Sequence, residues 1–274
     1  MCINPRLILN KKFMPNQKNG GSPPPLTDLR KSYVPIGCGK CFECRKRKRN
    51  DWSARLFEEV KDSKNEWCFV TFTFNEMSLN KLKYELVSRY LDFETGEVPE
   101  DFVKKTDDNA VATLAIRRFL ERWRKKYKKS VKHFFVTEKG HKGTKRIHLH
   151  GIIKSRNLED IKRIWGYGFV WPRRDYDMSK NYVNDKTINY IVKYITKLDN
   201  VNKDFNPKIL ASPGIGASYQ LTKEFNLHKF NNEFTKDYYR LKTGHKIANP
   251  LYYRNLLYTD EQKDILWTNM STLS

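Results

Sequence analysis

Two histidines stand two positions apart in the stretch RIHLHGII, residues 146–153, of a chain that has only six histidines. The aliphatic and β-branched residues of this stretch predict a strand. Because strand side chains alternate between two faces, His148 and His150 share one face, and Ile147 and Leu149 pack on the other. Two imidazoles placed in this way could bind one metal ion.

A carboxylate is the expected third ligand of such an ion. Glu138 ends a second predicted strand, residues 131–138, and the short loop 139–145 predicts a hairpin that places this carboxylate beside the histidines. The H-x-H pattern is equally compatible with half-buried histidines that bind nothing. Histidine-triad hydrolases require a third histidine where this chain has Ile152, and paired-histidine phosphoesterases require a second copy of their motif, which the sequence lacks.

A second group with chemical potential lies in NYIVKYITK, residues 189–197. Helical periodicity places Tyr190, Tyr194 and Lys197 on one face, and the aliphatic residues on the opposite face. These aliphatic residues are Ile188, Ile191, Val192 and Ile195. A phenol has a pKa of about 10, but near a lysine and a metal-bound phosphodiester its anion can attack phosphorus and form a phosphotyrosine bond. The alternative is that the tyrosines only stack on bases.

A third group is the cysteine cluster CGKCFEC, residues 38–44. Cys38, Cys41 and Cys44 have the spacing of zinc ligands, and Cys2 can supply a fourth thiolate if the first strand folds back. Four thiolates would make a closed structural zinc site, and the alternative is reduced cysteines without metal. Cys68 lies in a predicted core strand and is expected to act as a small hydrophobic residue.

The charge of the chain indicates a polyanionic partner. Fifty-three Lys and Arg against 31 Asp and Glu give a net charge of +22, which favours nucleic acid. The run RKRKR at 45–49 is either a solvated segment or a contact for DNA, and we favour DNA. The predicted DNA-binding residues are Arg45, Lys46, Arg47, Lys48, Arg49 and Lys193.

The elements that must position these groups predict an α+β fold. Strands are expected at 67–74, 131–138, 146–153 and 167–172, and amphipathic helices come between and after them. This order indicates an antiparallel central sheet with flanking helices.

The chain is expected to comprise three parts. These are an N-terminal arm with the cysteine cluster and a basic helix (1–65), a catalytic core (66–200) and a basic, aromatic C-terminal extension (201–274). No apolar stretch approaches the roughly 20 residues of a membrane span, so no membrane association is expected.

Three segments together resemble the ordered motifs of HUH single-strand endonucleases: FVTFTF (69–74), HLHG (148–151) and YIVKYITK (190–197). The Y-x-x-x-Y-x-x-K form is similar to the two-tyrosine subgroup that initiates rolling-circle replication. The opening MCINP, the cluster CGKCFEC and GIGAS (214–218) further resemble the replication initiators of gokushovirus-type phages of the Microviridae.

This resemblance implies an HUH palm-like fold and a metal-dependent DNA strand transferase. His148 and His150 would hold Mg²⁺ or Mn²⁺ with a polar third ligand, which we assign to Glu138. Tyr190 would nick one strand and keep the 5′ phosphate, and Tyr194 would make the alternate cleavage that allows circle closure. Lys197 is the residue that would stabilise the developing negative charge.

The resemblance also implies partners and a location. The partners are single-stranded DNA with a replication origin and the host polymerase and helicase, in the cytoplasm of an infected bacterium. Two alternatives stay open: a non-catalytic, zinc-containing protein that binds single-stranded nucleic acid, and an HUH transposase.

Overall fold

The computed structural model describes residues 2–92, 94–140, 145–173, 175–197, 201–202, 204–241 and 244–272, and it divides the chain into two compact units, residues 1–48 and 49–274. The strands are β1 (Arg6–Leu9), β2 (Tyr33–Ile36), β3 (Cys68–Phe72), β4 (His133–Lys139), β5 (Ile147–Ile153), β6 (Val170–Trp171), β7 (Ile209–Ala211), β8 (Tyr238–Arg240) and β9 (Lys246–Ala248). The α-helices are α1 (Phe42–Val60), α2 (Glu76–Ser88), α3 (Phe102–Thr106), α4 (Asp108–Tyr127), α5 (Leu158–Trp165), α6 (Asp185–Thr196), α7 (Lys223–Asn226), α8 (Leu251–Leu257) and α9 (Asp260–Thr272).

The first unit contains an antiparallel pair of strands. β1 pairs with β2, with Arg6 opposite Ile36 and Leu9 opposite Tyr33. Between them, Asn16 caps a short 3₁₀ helix, and its side-chain amide donates to the carbonyls of Lys11 and Met14. The Pro- and Asn-rich segment is therefore tied down by side-chain hydrogen bonds to its own backbone, and its last residues enter β2.

The described part of the second unit contains a five-stranded antiparallel sheet in the order β6-β3-β5-β4-β7. With helices on both faces, this confirms the predicted α+β class with an antiparallel central sheet. The hairpin of β4 and β5 also has the predicted pairing, with Glu138 opposite His148. Residues 141–144 of its predicted loop lie outside the described residues.

Strand alternation gives the sheet two different apolar faces. One packs against α2, α4 and α5, where Phe72, Phe119 and Trp165 form part of the larger core cluster. The other, which we call the histidine face, carries His148 and His150 and is covered by α1 and α6. The residues that pack there from the two helices are Leu56, Phe57, Val60, Ile188, Ile191, Val192 and Ile195.

Both edges of the sheet are short. At the β3 edge, β6 pairs only with Thr71 and Phe72, and the side chain of Asn181 takes over at Phe69. Its Oδ1 accepts from the Phe69 backbone N–H at 2.8 Å, and its Nδ2 donates to the Phe69 carbonyl at 2.9 Å. At the other edge, β7 pairs with residues 134–136 of β4.

A separate aromatic cluster in the C-terminal part joins residues 219–253 to α1. Tyr219, Tyr239 and Tyr253 pack there around Ala54. Gly216 has a φ of 77°, and a Cβ at this position would lie 2.7 Å from the Arg55 carbonyl oxygen. The GIGAS segment therefore requires glycine at its second glycine position for both backbone conformation and close approach.

Among the described residues, no helix combines the length and apolarity needed to cross a membrane. The three-part division predicted from the sequence stays a prediction. The sheet extends past residue 200, because β7 at 209–211 is one of its strands.

Candidate active site

The candidate site lies on the histidine face, where strands β3, β4 and β5 meet helix α6. Register places Thr71 of β3 and Val136 of β4 opposite His150, and Glu138 opposite His148. Side chains of opposed residues in adjacent strands lie on the same face. The structure thus brings together the histidines and the carboxylate that the sequence predicted as neighbours.

Both ring nitrogens of His150 have hydrogen-bond partners. Its Nδ1 lies 3.0 Å from the Thr71 hydroxyl oxygen, and its Nε2 lies 2.8 Å from a carboxylate oxygen of Glu138. The flat face of the imidazole stacks on the ring of Tyr194, with centroids 4.5 Å apart and planes 4° from parallel. The ring of His150 is therefore fixed both in its plane and along its normal.

Glu138 connects the histidine strand to the end of α6. Its second carboxylate oxygen accepts a hydrogen bond from the ammonium group of Lys197, the residue that caps α6. Burial raises the pKa of this carboxyl group, but hydrogen bonds from His150 and Lys197 outweigh burial and lower the pKa to about 2. Glu138 is thus an anion at neutral pH.

His148 is half-buried beside His150, with ring centroids 6.4 Å apart. Burial lowers its pKa, and the neighbouring His150 lowers it further, against an opposing effect of Glu138. A neutral imidazole keeps a nitrogen lone pair, which is the form that binds metal ions.

Helix α6 presents the two tyrosines. It begins at a capping box formed by Asn184 and Thr187, and its aliphatic stripe is buried as predicted. The prediction of one shared polar face was wrong for one residue: Tyr190 is 41% exposed, whereas Tyr194 is only 6% exposed and belongs to the apolar cluster. Tyr194 follows Ile191 by three residues, so on a helix it borders the aliphatic stripe.

The tyrosine hydroxyls form a pair. The Tyr194 hydroxyl donates to the Tyr190 hydroxyl oxygen at 2.7 Å, and the rings meet edge to face. Burial, this hydrogen bond and the negative charge of Glu138 all raise the pKa of Tyr194. The ammonium of Lys193 lies 4.0 Å from the centroid of the Tyr190 ring. The exposed phenol thus has one donor and one cation close to it.

A shallow pocket opens beside this network. Glu138, Tyr194 and Lys197 are among the residues that line it, together with Phe205 and Pro207 from the segment before β7. The candidate groups therefore border an opening to solvent.

The candidate metal ligands of the histidine face are not assembled as a closed set. In the described part of the chain, only one group of three or more His, Cys, Asp or Glu side chains has all its donor atoms within 4.8 Å of one another, and it is the cysteine cluster. Two imidazoles and a carboxylate on one face are suitable donors for a divalent ion, but the hydrogen bonds of Glu138 to His150 and Lys197 would have to rearrange for the three to share one.

The cysteine cluster lies in the first unit. The sulfur atoms of Cys2, Cys38, Cys41 and Cys44 lie within 4.8 Å of one another, so this group could hold a metal ion. The backbone N–H of Cys38 donates to the Cys2 sulfur at 3.3 Å, and that of Cys41 donates to the Cys38 sulfur at 3.2 Å. A hydrogen bond from the Cys44 backbone lowers the pKa of Cys41 to about 6, which favours its thiolate.

The basic run lies in α1, which has mixed environments along it. Arg45 is buried and its Nε donates to the Lys40 carbonyl at 2.9 Å, whereas Lys46, Arg47, Lys48 and Arg49 are exposed. Contact of any of these residues with DNA stays a prediction.

Two residues of the site were missed from the sequence. Thr71, which holds the Nδ1 of His150, was included in the FVTFTF segment only as part of a strand. Gly151 follows the second histidine, and a Cβ there would lie 2.1 Å from the Phe134 carbonyl oxygen. Pairing β3 with β5 would have revealed Thr71, because both belong to the histidine face.

Comparison with known families gives one match. Residues 67–199, a little under half of the chain, match a family model described as a replication-associated protein of the ORF2 type. The matched region includes the histidine pair, Glu138 and both tyrosines. No curated protein and no solved structure matches the chain. The match supports the predicted role in replication at the level of a replication-associated protein.

Proposed function

We propose that this protein is a replication initiator of the HUH type that nicks and rejoins single-stranded DNA through a tyrosine. One observation supports this most directly: the exposed Tyr190 hydroxyl lies 2.7 Å from that of Tyr194, whose ring stacks on His150. Three segments distant in sequence thereby converge on one point of the sheet. The family match over the same region supports a replication role.

In the proposed cleavage, the Tyr190 oxygen forms a bond to the phosphorus of a DNA phosphodiester, and the bond from phosphorus to the 3′ oxygen breaks. The phenol proton leaves to solvent, and the departing 3′ oxygen takes a proton from solvent. The products are a 5′-phosphotyrosine and a free 3′ hydroxyl that can prime synthesis. Tyr190 takes the first cleavage because it is the exposed phenol, and Tyr194 takes the alternate cleavage before a 3′ hydroxyl recloses the circle.

The charges around Tyr190 suit this chemistry. Lys193 lies over the Tyr190 ring, and Lys197 lies at the end of the same helix, so both are positioned to favour a phenolate and a negatively charged phosphate. Tyr194 keeps its proton, because its pKa is raised, and it can donate that proton in a hydrogen bond to the reacting oxygen.

A divalent ion, Mg²⁺ or Mn²⁺, would be held by His148, His150 and Glu138. When bound, it would polarise the phosphodiester for attack by the phenol. His148 is suited to this role by its lowered pKa, and Glu138 by its negative charge.

A second function, single-stranded DNA binding without cleavage, is favoured by one observation. Glu138 already has partners in His150 and Lys197, so the network is complete without a metal ion. Binding with no covalent product under any condition would support this alternative.

The test is a covalent trapping experiment. Incubation with Mn²⁺ and a random-sequence pool of 3′-labelled single-stranded DNA is expected to give a labelled protein band that survives denaturation. Tyr190→Phe should remove this band, and Tyr182→Phe, at an exposed tyrosine just before α6, should keep it. Absence of the band with wild-type protein, together with retained DNA binding, would overturn the nuclease proposal.

The cellular setting follows from this function. We propose that the protein acts at a replication origin together with the host polymerase and helicase, in the cytoplasm of a bacterium infected by a gokushovirus-like phage.

We also propose that the cysteine cluster binds one structural Zn²⁺. Four sulfur donors within 4.8 Å and no other ligand match a closed thiolate site among the described residues. Emission spectroscopy on protein purified without chelator should give one zinc per chain, and Cys44→Ser should lose it while Cys68→Ala, at the buried cysteine of β3, retains it. Less than a third of an equivalent in wild-type protein would contradict zinc binding.

A further inference from the structure

A row of aromatic rings leads away from Tyr190 across the histidine face. The Tyr190 ring meets Phe69 edge to face at 5.6 Å between centroids, Phe69 meets Trp171 at 5.4 Å, and Trp171 meets Tyr176 at 5.2 Å. We call Phe69, Trp171 and Tyr176 the aromatic platform. It connects the candidate nucleophile to the β6 edge of the sheet.

The aromatic platform is accessible because little covers that end of the histidine face. The apolar residues of α1 and α6 pack mainly over β4 and β5, and the three platform residues are only half-buried. Phe169, two positions before Trp171 and therefore on the same side of the β6 backbone, is 51% exposed. Such a concentration of exposed rings beside a catalytic candidate calls for a ligand.

The backbone beneath the platform is held rigidly. The Asn181 amide binds both backbone groups of Phe69, and Arg156 donates to the carbonyls of Trp67 and Asn181. A rigid platform loses little conformational entropy when a ligand stacks on it.

The chemistry of the surroundings identifies the ligand. Flat apolar rings next to cations suit nucleobases, whose π faces stack on aromatic side chains while the phosphates meet positive charge. Lys193 lies against Tyr190 at one end of the row, exposed Arg173 follows Trp171 at the other, and the chain carries +22 overall. An apolar peptide would not use this charge.

We propose that the aromatic platform stacks unpaired bases of the DNA strand whose backbone reaches Tyr190. This inference rests on the proposed function for the position of the scissile phosphate, but base stacking itself requires no cleavage. It assigns to residues of β3 and β6 the selection of single-stranded over duplex DNA, because paired bases have no free faces to offer.

The test measures binding with EDTA present, so that no cleavage contributes. Fluorescence anisotropy compares a labelled 12-nucleotide oligothymidine with an abasic strand of equal length and charge. Wild-type protein should bind the base-bearing strand more tightly, and Trp171→Ala should weaken that binding roughly 5- to 100-fold, as expected for loss of base stacking. Binding of the abasic strand should hardly change.

Controls separate stacking from folding. Trp171→Phe keeps an aromatic ring and should restore most of the affinity, and Tyr84→Ala removes an exposed ring from α2 and should have no effect. Equal wild-type affinity for the two strands would overturn the inference, as would equal losses of Trp171→Ala on both. Because the covalent trapping experiment is separate, a failure of cleavage with base-dependent binding intact would reject only the nuclease proposal.

Discussion

At the scale of single residues, the two tyrosines of α6 have different environments despite their identical chemistry. Tyr190 is exposed to solvent and accepts a hydrogen bond, whereas Tyr194 is buried, stacks on His150 and donates that bond. Since a nucleophile must reach a DNA backbone, exposure favours Tyr190 for the first cleavage. Tyr194 supports it through the hydrogen bond until the site rearranges.

The two substitutions to phenylalanine should therefore have unequal effects. Tyr190→Phe is expected to abolish the first covalent adduct. Tyr194→Phe keeps the stacked ring and loses one hydrogen bond, so the single-turnover rate should fall only roughly 2- to 10-fold. Peptide mapping of the adduct by mass spectrometry checks the assignment, and an early adduct on Tyr194 would contradict it.

The sequence was sufficient to identify the main groups of the site but not their network. Alternation along a strand brought His148 and His150 to one face, and the hairpin brought Glu138 beside them. The hydrogen bonds of Thr71 to His150 and of Lys197 to Glu138 depend on strand order and on how α6 lies on the sheet. Those relations are tertiary, so no local pattern shows them.

At the scale of elements, Gly151 determines how closely β4 and β5 can pack behind the histidines. A Cβ at this position would lie 2.1 Å from the Phe134 carbonyl oxygen and 2.4 Å from the Phe135 ring. Both contacts are to residues that are themselves fully buried, so neither can move away easily.

Gly151→Ala should accordingly lower the free energy of unfolding by about 3 kcal/mol or more. Gly96→Ala is the matched control, because Gly96 has a positive φ but no atom within 4 Å of its Cβ position, and it should cost only about 1 kcal/mol. Urea unfolding measures both. A cost for Gly151→Ala no larger than that of the control would show that the strands separate without strain.

His133, at the start of β4, should make the fold sensitive to acid. Its ring is buried, its Nδ1 lies 2.9 Å from the Ser212 hydroxyl, and burial lowers its pKa below 6.5. Below pH 6.5 the unfolded chain therefore binds a proton that the folded protein resists. Stability is present above that pH and is lost as the pH falls toward the folded pKa.

His133→Gln removes this proton-binding group while leaving His148 in place. The loss of unfolding free energy between pH 7.5 and 5.5 should then be smaller than in the wild type by up to about 1 kcal/mol. Urea titrations at the two pH values provide the measurement. Parallel losses in both proteins would mean that other groups account for the acid sensitivity.

Element prediction from the sequence succeeded where periodicity was long and failed where elements are short. The helices around Phe119 and Tyr190 and the strands of the histidine hairpin were found. Helix α2 was overlooked although Leu79, Leu82 and Leu86 repeat at helical spacing and are buried. Strand β7 has three residues, and its conformation follows from pairing with β4, which its own sequence cannot indicate.

At the scale of the whole molecule, the net charge of +22 governs encounter with DNA. Basic residues are distributed along both units, so many phosphates can be neutralised at once. Part of the binding free energy then comes from release of condensed counterions and declines with salt.

A plot of the logarithm of the binding constant for single-stranded DNA against the logarithm of salt concentration should be linear. Its slope is expected at roughly −3 to −6, which corresponds to about four to eight neutralised phosphates. Trp171→Ala should lower the line without changing its slope, because a ring neutralises no phosphate. A flat line for the wild type would contradict a charge-driven encounter.

The Asn181 amide has a consequence for behaviour in concentrated solution. A free strand edge offers N–H and C=O groups on which another polypeptide can add itself, the first step of many assemblies and aggregates. Here the outer edge of β3 is filled partly by the two residues of β6 and partly by one amide side chain, which occupies both backbone groups of Phe69. The sheet therefore protects its own boundary, and copies of the protein crowded on one DNA strand have little opportunity to join through that edge.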